Sequence, residues 1–355
     1  MKLDITYEQA IEKARPGLRY KIEQSAALIR KAERLALKYD AEDGFWLAFS
    51  GGKDSQTLYH LAELAGVKFK AHFSPTTVDP PQLIRFIRMH YPDVEFGKVE
   101  KSMYQMAKEK GMVPTRRLRW CCAEFKESAG AGKVTLTGIR KAESTRRAKR
   151  KEVEVSGHKF SGDLTEFTDW SEARIKKQYK NINQDEFSRD TQQEVRCING
   201  KDSIIVNPML EWSDADVWDF LNKVMEVPHC ELYDPPYNQH RIGCLLCPMS
   251  GPKQHKTDIE LWPHVKEKWM EVFRYYIDNL GYDCNHFSIN KLARERERES
   301  GKTRNGKRRW RGVTNSPEAL FDWWAFGESD WDTFNAERSY PTLFGTELEE
   351  EKGKE

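Results

Sequence analysis

A doubly wound, mostly parallel α/β sheet is the predicted fold class, and three observations predict it. Short apolar runs alternate with helical stretches between residues 45 and 137. The first run breaks off in Ser50-Gly51-Gly52, a sequence that turns a strand into a helix. A further apolar run, Ser203 to Val206, resumes the alternation after a polar interval.

The elements follow in order. Residues 8–40 are rich in Ala, Ile, Leu, Glu and Lys and poor in Gly, so they predict helix, with Pro16 starting or kinking one piece. Asp43-Gly44 turns the chain into Phe45 to Phe49, a run of buried-strand type. Gln56 to Ala65 predicts helix, Val67 to Phe73 a second strand, and Gln82 to His90 a helix behind Pro80-Pro81. Val94 to Phe96 predicts a third strand, Met103 to Lys110 a helix, and Lys133 to Thr137 a fourth strand. Residues 150–200 are polar and weakly periodic and are expected to form an insertion or lid. Ser213 to Val224 predicts a helix with Ser213 as N-cap and Asp214 and Asp216 in its first turn. Trp262 to Leu280 predicts an amphipathic helix. The expected organisation is a helical segment over 1–40, a nucleotide-binding domain over 41–250, a helical, basic and Trp-rich extension over 251–345, and an acidic disordered tail over 346–355.

Composition narrows the function classes. Net charge is only +2 in 355 residues, so no whole-protein field demands a nucleic acid or a membrane. No stretch of eighteen apolar residues occurs, and the first residues lack the apolar core of a signal peptide. Seven cysteines, an odd number, argue against a disulfide framework and for metal or redox chemistry in a reducing compartment. A cytoplasmic protein is the expectation.

Ser50-Gly51-Gly52-Lys53-Asp54-Ser55 between strand and helix is the strongest local signal. Two glycines let the backbone approach an anion, and the helix start adds its positive end. Ser50 and Ser55 can donate to phosphate oxygens and Lys53 supplies charge. The Walker loop is excluded, because it needs Gly where Leu47 stands and Ser or Thr where Asp54 stands. Asp54 could hold magnesium or orient a serine. Cys244 and Cys247 form a Cys-X-X-Cys pair able to place two thiolates on one metal, and Cys121 and Cys122 are adjacent, an unusual arrangement for a zinc ribbon. Thr137-Gly138 ends a strand and so places Arg140 at the ligand edge of the sheet. Arg140 and Arg147 could bind phosphate or sulfate bidentately. Glu143 could fix Arg140, hold magnesium, or simply pair with Arg147 on a helix. Asp79 could contact a ribose or cap the helix that follows. Trp212, Trp218 and Tyr233 are assigned to the core. From Lys291 to Arg311 ten Lys or Arg stand against three Glu, with Trp310 among them, a composition suited to phosphate contacts and base stacking as well as to a solvated helix face.

Ser-Gly-Gly-X-Asp-Ser is also the pyrophosphate-loop signature of the adenine nucleotide alpha-hydrolase-like enzymes. Within that group the chain resembles the phosphoadenosine phosphosulfate (PAPS) reductase family. The resemblance runs in family order through Thr77 to Pro81, through Arg119-Trp120-Cys121-Cys122 with Lys126, and through Thr137-Gly138-Ile139-Arg140 with Glu143, Ser144 and Arg147. It continues through Asn207-Pro208 to Trp212, Asp216-Val217-Trp218, Leu232-Tyr233-Asp234, and Arg241 to Pro248. It implies a nucleotide site of Ser50, Gly51, Gly52, Lys53, Asp54, Ser55, Asp79, Gly138, Arg140, Glu143, Ser144 and Arg147, with Lys53, Asp54 and Arg140 as catalytic groups. It implies a [4Fe–4S] cluster on Cys121, Cys122, Cys244 and Cys247, with zinc as the alternative metal and Cys230 as an alternative ligand. Arg116, Arg117 and Arg119 would then offset the cluster's charge or steer an anion.

The resemblance leaves the reaction between two chemistries. The family's reductases use a cysteine in a Glu-Cys-Gly-Leu-His motif, which is absent here, and usually lack the loop lysine, which is present. A complete loop fits relatives that split ATP with Mg2+ into AMP and pyrophosphate, with sulfur transfer to a nucleic acid as the implied use. A sulfur donor protein, either a cysteine desulfurase or a thioredoxin-like protein, would then be a partner. PAPS reduction and a non-catalytic nucleotide-sensing or nucleic-acid-binding subunit are the alternatives.

Overall fold

The computed structural model describes residues 5–116, 119–127, 130, 132–145, 147–156, 203–280 and 317–326. In chain order the first elements are α1 (Tyr7–Lys13), α2 (Pro16–Tyr39), β1 (Phe45–Ala48), α3 (Lys53–Ala65), β2 (Phe69–Phe73), α4 (Pro81–His90), β3 (Glu95–Phe96) and α5 (Met103–Lys110). Then come β4 (Val134–Leu136), β5 (Val153–Ser156), β6 (Ser203–Val206), α6 (Asp214–Asp219), α7 (Pro252–Leu261), α8 (Pro263–Leu280) and α9 (Pro317–Phe326). They divide between two compact units.

The first unit comprises Met1–Pro75, Asp79–Lys98 and Ala123–Gly243. Its six-stranded sheet has the order β3-β2-β1-β4-β6-β5. Neighbours from β3 through β6 run parallel, and β5 pairs antiparallel with β6 at the edge. The alternation of strands and helices thus folds into the predicted α/β sheet, because parallel neighbours need a crossover helix between them. Residues of β1 alternate: Phe45 and Leu47 are buried, Trp46 is half-buried and Ala48 is exposed. The run is therefore a strand with one buried face rather than a strand buried on both sides. On its other face Trp46 stacks flat on His72 of β2, with ring centroids 3.4 Å apart.

Pro16 starts α2, where its missing N–H costs nothing, and does not kink it. Leu18, Ile22, Ala26, Ile29 and Leu35 recur at helical spacing and are buried, and α2 packs on β1, β4 and α3. The helix is held at its start by Asp216, which accepts from Lys21 Nζ at 2.6 Å, while Arg15 Nε donates to Asp219 Oδ2 at 2.8 Å. Asp216 also closes a capping box with Ser213, so it is a scaffold residue. The helix predicted from Ser213 to Val224 is α-helical only to Asp219 and continues as a π-helical turn over Phe220–Val224.

The second unit comprises Thr76–Val78, Val99–Cys122 and Cys244–Glu355. Here α5 packs on α8, and α7, α8 and α9 pack on one another. Trp269, Phe273 and Tyr276, spaced one turn apart on α8, are buried with Phe321 of α9. Tyr276 Oη donates to Ala107 O at 2.6 Å and Trp324 Nε1 to Pro114 O at 2.7 Å, so the buried aromatics satisfy their polar ends. Part of the C-terminal extension is thus folded core: α7 and α9 were not foreseen. The basic segment 291–311, Cys197, Cys284, Arg117 and the acidic tail lie outside the described residues, as does most of the polar segment 150–200. The beginning of that segment is the edge strand β5. No described helix is long and apolar enough to cross a membrane.

Candidate functional site

The loop after β1 is shaped by its glycines. Gly51 has φ +72°, and a Cβ there would lie 2.7 Å from Ile87 and Leu83 side-chain atoms of α4. Gly138, at the end of β4, passes so close to α3 that a Cβ would stand 2.8 Å from Asp54 O. Only glycine allows the Thr137-Gly138 turn to approach the loop this closely.

Within the loop, Ser50 Oγ donates to Ser55 Oγ at 3.1 Å and Ser55 Oγ to Gly52 O at 2.9 Å. Gly52 is the N-cap of α3 and offers no side-chain acceptor to the helix amides. One of these amides, Lys53 N–H, donates to Tyr233 Oη at 2.8 Å. Tyr233 is therefore a loop-holding residue rather than mere core, and burial pushes its phenol pKa up, so the hydroxyl stays neutral. Trp212 is core as predicted, its Nε1 donating to Ser25 Oγ at 3.0 Å.

Two cations and two carboxylates meet at this loop. Arg140 is 2% exposed and Lys53 6% exposed. Arg140 Nε donates to Asp54 Oδ1 at 2.7 Å and its Nη2 to Asp214 Oδ1 at 2.7 Å. Lys53 Nζ lies 3.6 Å from Asp54 Oδ2 and 3.4 Å from Asp214 Oδ1, and donates to His240 O at 3.3 Å. Burial raises the Asp54 pKa, and the fields of Lys53 and Arg140 only partly offset this. For Asp214 the balance reverses: burial is outweighed by Lys53 and Arg140, and its pKa is lowered. Asp214 was read from sequence as a first-turn helix acid, and no local signal distinguishes it from Asp216.

Glu143 Oε1 accepts from the Arg140 backbone N–H at 3.0 Å, and its other oxygen is bonded to Arg147. Glu143 thus fixes the Arg140 backbone and pairs with Arg147 four residues on. Ser144 Oγ accepts from Arg147 N–H at 3.2 Å. The N-cap of α4 is Pro80, without a side-chain cap, so Asp79 is not capping that helix.

Cys121, Cys122, Cys244 and Cys247 all belong to the second unit and none is in a disulfide. The Cys121 thiol is pushed up by its hydrogen bond with Cys122, by burial and by the fields of Cys122, Cys244 and Cys247, so the four sulfurs interact. Among the described residues, no group of three or more His, Cys, Asp or Glu side chains is set around a single metal-ion position. Both cysteine segments are braced. Arg116 donates to Pro248 O and Ser250 O, both at 3.0 Å. Leu246, at φ +52° inside the Cys-X-X-Cys turn, donates its N–H to buried Asp258 at 2.8 Å, and His255 Nε2 lies 2.8 Å from Cys247 O. Cys230 is fully buried in the first unit, with its pKa pushed up to about 11 by burial.

The phosphoadenosine phosphosulfate reductase domain family matches residues 44–250. The chain belongs to this family. Two uncharacterized proteins of Methanocaldococcus jannaschii are similar, at 24% identity over 246 residues and 26% over 251, each match covering 66% of this chain. The matches span 48% and 43% of those relatives, a little under half of each. Among solved structures, Candida glabrata FMN adenylyltransferase with FMN and an ATP analog is similar at 14% identity and TM-score 0.37, over 72% of this chain and 80% of that one. A PAPS reductase from Candida auris in a phosphate complex is similar at 16% identity and TM-score 0.35, over 61% of this chain and 87% of that one.

Proposed function

We propose that the chain binds ATP at the Ser50–Ser55 loop and cleaves it to AMP and pyrophosphate, adenylylating an acceptor that then receives sulfur. The observation that carries this reading is the convergence of two buried cations, Lys53 and Arg140, on a glycine loop opened for an anion. The acceptor's nucleophilic atom bonds to the α phosphorus as the α–β bridging bond breaks. Pyrophosphate leaves with that electron pair, and the acceptor's proton passes to a base. Lys53 and Arg140 meet the charge that develops on the leaving group, and this placement stabilises the transition state more than the ground state. Ser50, Ser55 and the α3 amides orient the phosphates, and Tyr233 holds the Lys53 backbone in register. Asp54 and Glu143 are the carboxylates available to a magnesium ion that accompanies ATP.

The four interacting thiols of Cys121, Cys122, Cys244 and Cys247 suit a soft-metal cofactor, for which we propose a [4Fe–4S] cluster, with a single zinc ion as the alternative. Such a cluster would supply electron or sulfur handling when bound. The acceptor class proposed is a nucleic acid, by thiolation or phosphorothioation, with a cysteine desulfurase or a thioredoxin-like protein delivering sulfur.

Reduction of PAPS is the rival reading, since it is the activity that the family's name carries. Buried Cys230, with its raised pKa, is a poor candidate for the nucleophile that reading needs. Anaerobically purified protein is incubated with Mg2+ and ATP, and separately with PAPS and a thiol donor. Pyrophosphate from ATP that disappears in Lys53→Ala is the expected result. Sulfite from PAPS without pyrophosphate from ATP would overturn the proposal in favour of reduction.

A further inference from the structure

The two phosphate-binding cations are already bridged by one carboxylate oxygen. Asp214 Oδ1 accepts from Arg140 Nη2 at 2.7 Å and lies 3.4 Å from Lys53 Nζ. A single oxygen shared between a guanidinium and an ammonium is the arrangement a phosphate oxygen would take in the same place. The four charged groups differ in exposure. The side chains of Lys53 and Arg140 are 7% and 3% exposed and that of Asp54 is 23% exposed, but Asp214 is 70% exposed. Asp54 is tied into the loop itself. Asp214 begins α6, whose cap is made by Ser213 and Asp216, so its side chain can turn out to water without unpicking the helix.

We propose that Asp214 is an internal stand-in for phosphate: it occupies the Lys53–Arg140 anion subsite, must be displaced by the incoming ligand, and so favours a polyanionic ligand over a singly charged one. The inference deepens the nucleotide reading and rests on it. The physical ground is competition. Without Asp214 the two cations would face Asp54 alone and would attract any small anion. With it, a ligand gains only the excess of its own interaction over that of the carboxylate. Pyrophosphate and the β,γ end of ATP present several charged oxygens to Lys53 and Arg140 together. A lone carboxylate or a singly charged phosphate ester presents little more than Asp214 already does.

Inorganic pyrophosphate, ATP and AMP are titrated into the full chain and into its Asp214→Asn variant by calorimetry. Asp214→Asn keeps the side chain's size and removes its charge, and Asp214→Ala serves as a second variant. The expected result is that pyrophosphate and ATP bind about threefold to tenfold more tightly to both variants, the scale of an ion pair with one largely exposed partner. The preference for ATP over AMP narrows at the same time. Unchanged or weaker pyrophosphate binding in both variants would overturn the proposal; weakening that occurs only with Mg2+ present would make Asp214 a metal ligand instead. Failure of the nucleotide reading looks different. Pyrophosphate would tighten in Asp214→Asn, but ATP would gain nothing over pyrophosphate in any form of the protein. If neither ligand binds any form, both readings fall.

Discussion

Around the Ser50–Ser55 loop, opposite charges face one another: Lys53 and Arg140 against Asp54 and Asp214. Around the four cysteines, like groups face one another, and their mutual fields push the Cys121 thiol up. The loop is therefore electrostatically complete before any ligand arrives, and a ligand must exchange with a partner already in place. The cysteine region has its backbone braced, by Arg116, Asp258 and His255, while its sulfurs repel charge on one another until a cation joins them. The first arrangement suits a ligand that comes and goes. The second suits a cofactor that stays.

The comparison can be broken most severely at Arg140. Arg140→Ala leaves the Asp54 and Asp214 carboxylates without their shared cation in a largely buried setting, at a cost of about 3–5 kcal/mol of stability. Urea unfolding of the full chain measures it, and a loss under about 1 kcal/mol would mean the network is solvated rather than buried. Gly51→Ala is next. A left-handed φ and a Cβ 2.7 Å from Leu83 and Ile87 together cost about 2–3 kcal/mol, and phosphate-ligand binding falls with it.

On the cysteine side, Asp258→Ala removes the acceptor of the Leu246 amide. A stability loss of about 1–2 kcal/mol is expected, together with faster reaction of Cys244 and Cys247 with a thiol reagent. ATP binding should be unaffected, which is what separates the two regions. The smallest effect concerns His72, whose pKa burial lowers to about 4. Its neutral form is favoured in the folded state, so stability is full above the ordinary His value near ~6.5 and declines as pH falls from there to about 4. Discounted for partial solvent access, the decline is about 1 kcal/mol, read from unfolding free energies across that range and lost in His72→Phe.

The parts that were legible in the sequence are those written in consecutive residues. The strand, the glycine break and the helix of the loop follow from Phe45 to Ala65 alone, and only the helix start differs, at Lys53 rather than Gln56. The α5 helix falls on its predicted residues because Ser102 caps it and Gly111 ends it in the left-handed conformation. What was missed depends on partners far along the chain. Asp214 and Asp216 look alike as first-turn acids, yet one joins Lys53 and Arg140 and the other anchors α2 through Lys21. Tyr233 looked like core because nothing near it announces that its hydroxyl meets Lys53, 180 residues away. The strand β5 was hidden because edge strands carry charged residues, and Glu152 and Glu154 make it resemble a loop. In α9 the aromatic residues follow a basic run that drew attention to nucleic-acid contacts, while Trp324 is instead bonded to Pro114 O.

The most direct test of the central claim is equilibrium binding of ATP to the full chain and to Lys53→Ala. The account predicts saturable one-site binding to the full chain, competed by pyrophosphate and weakened more than about tenfold by Lys53→Ala, the loss of one charge-assisted contact in a largely buried site. Equal binding by the two proteins, or ATP binding that pyrophosphate does not compete, would contradict it.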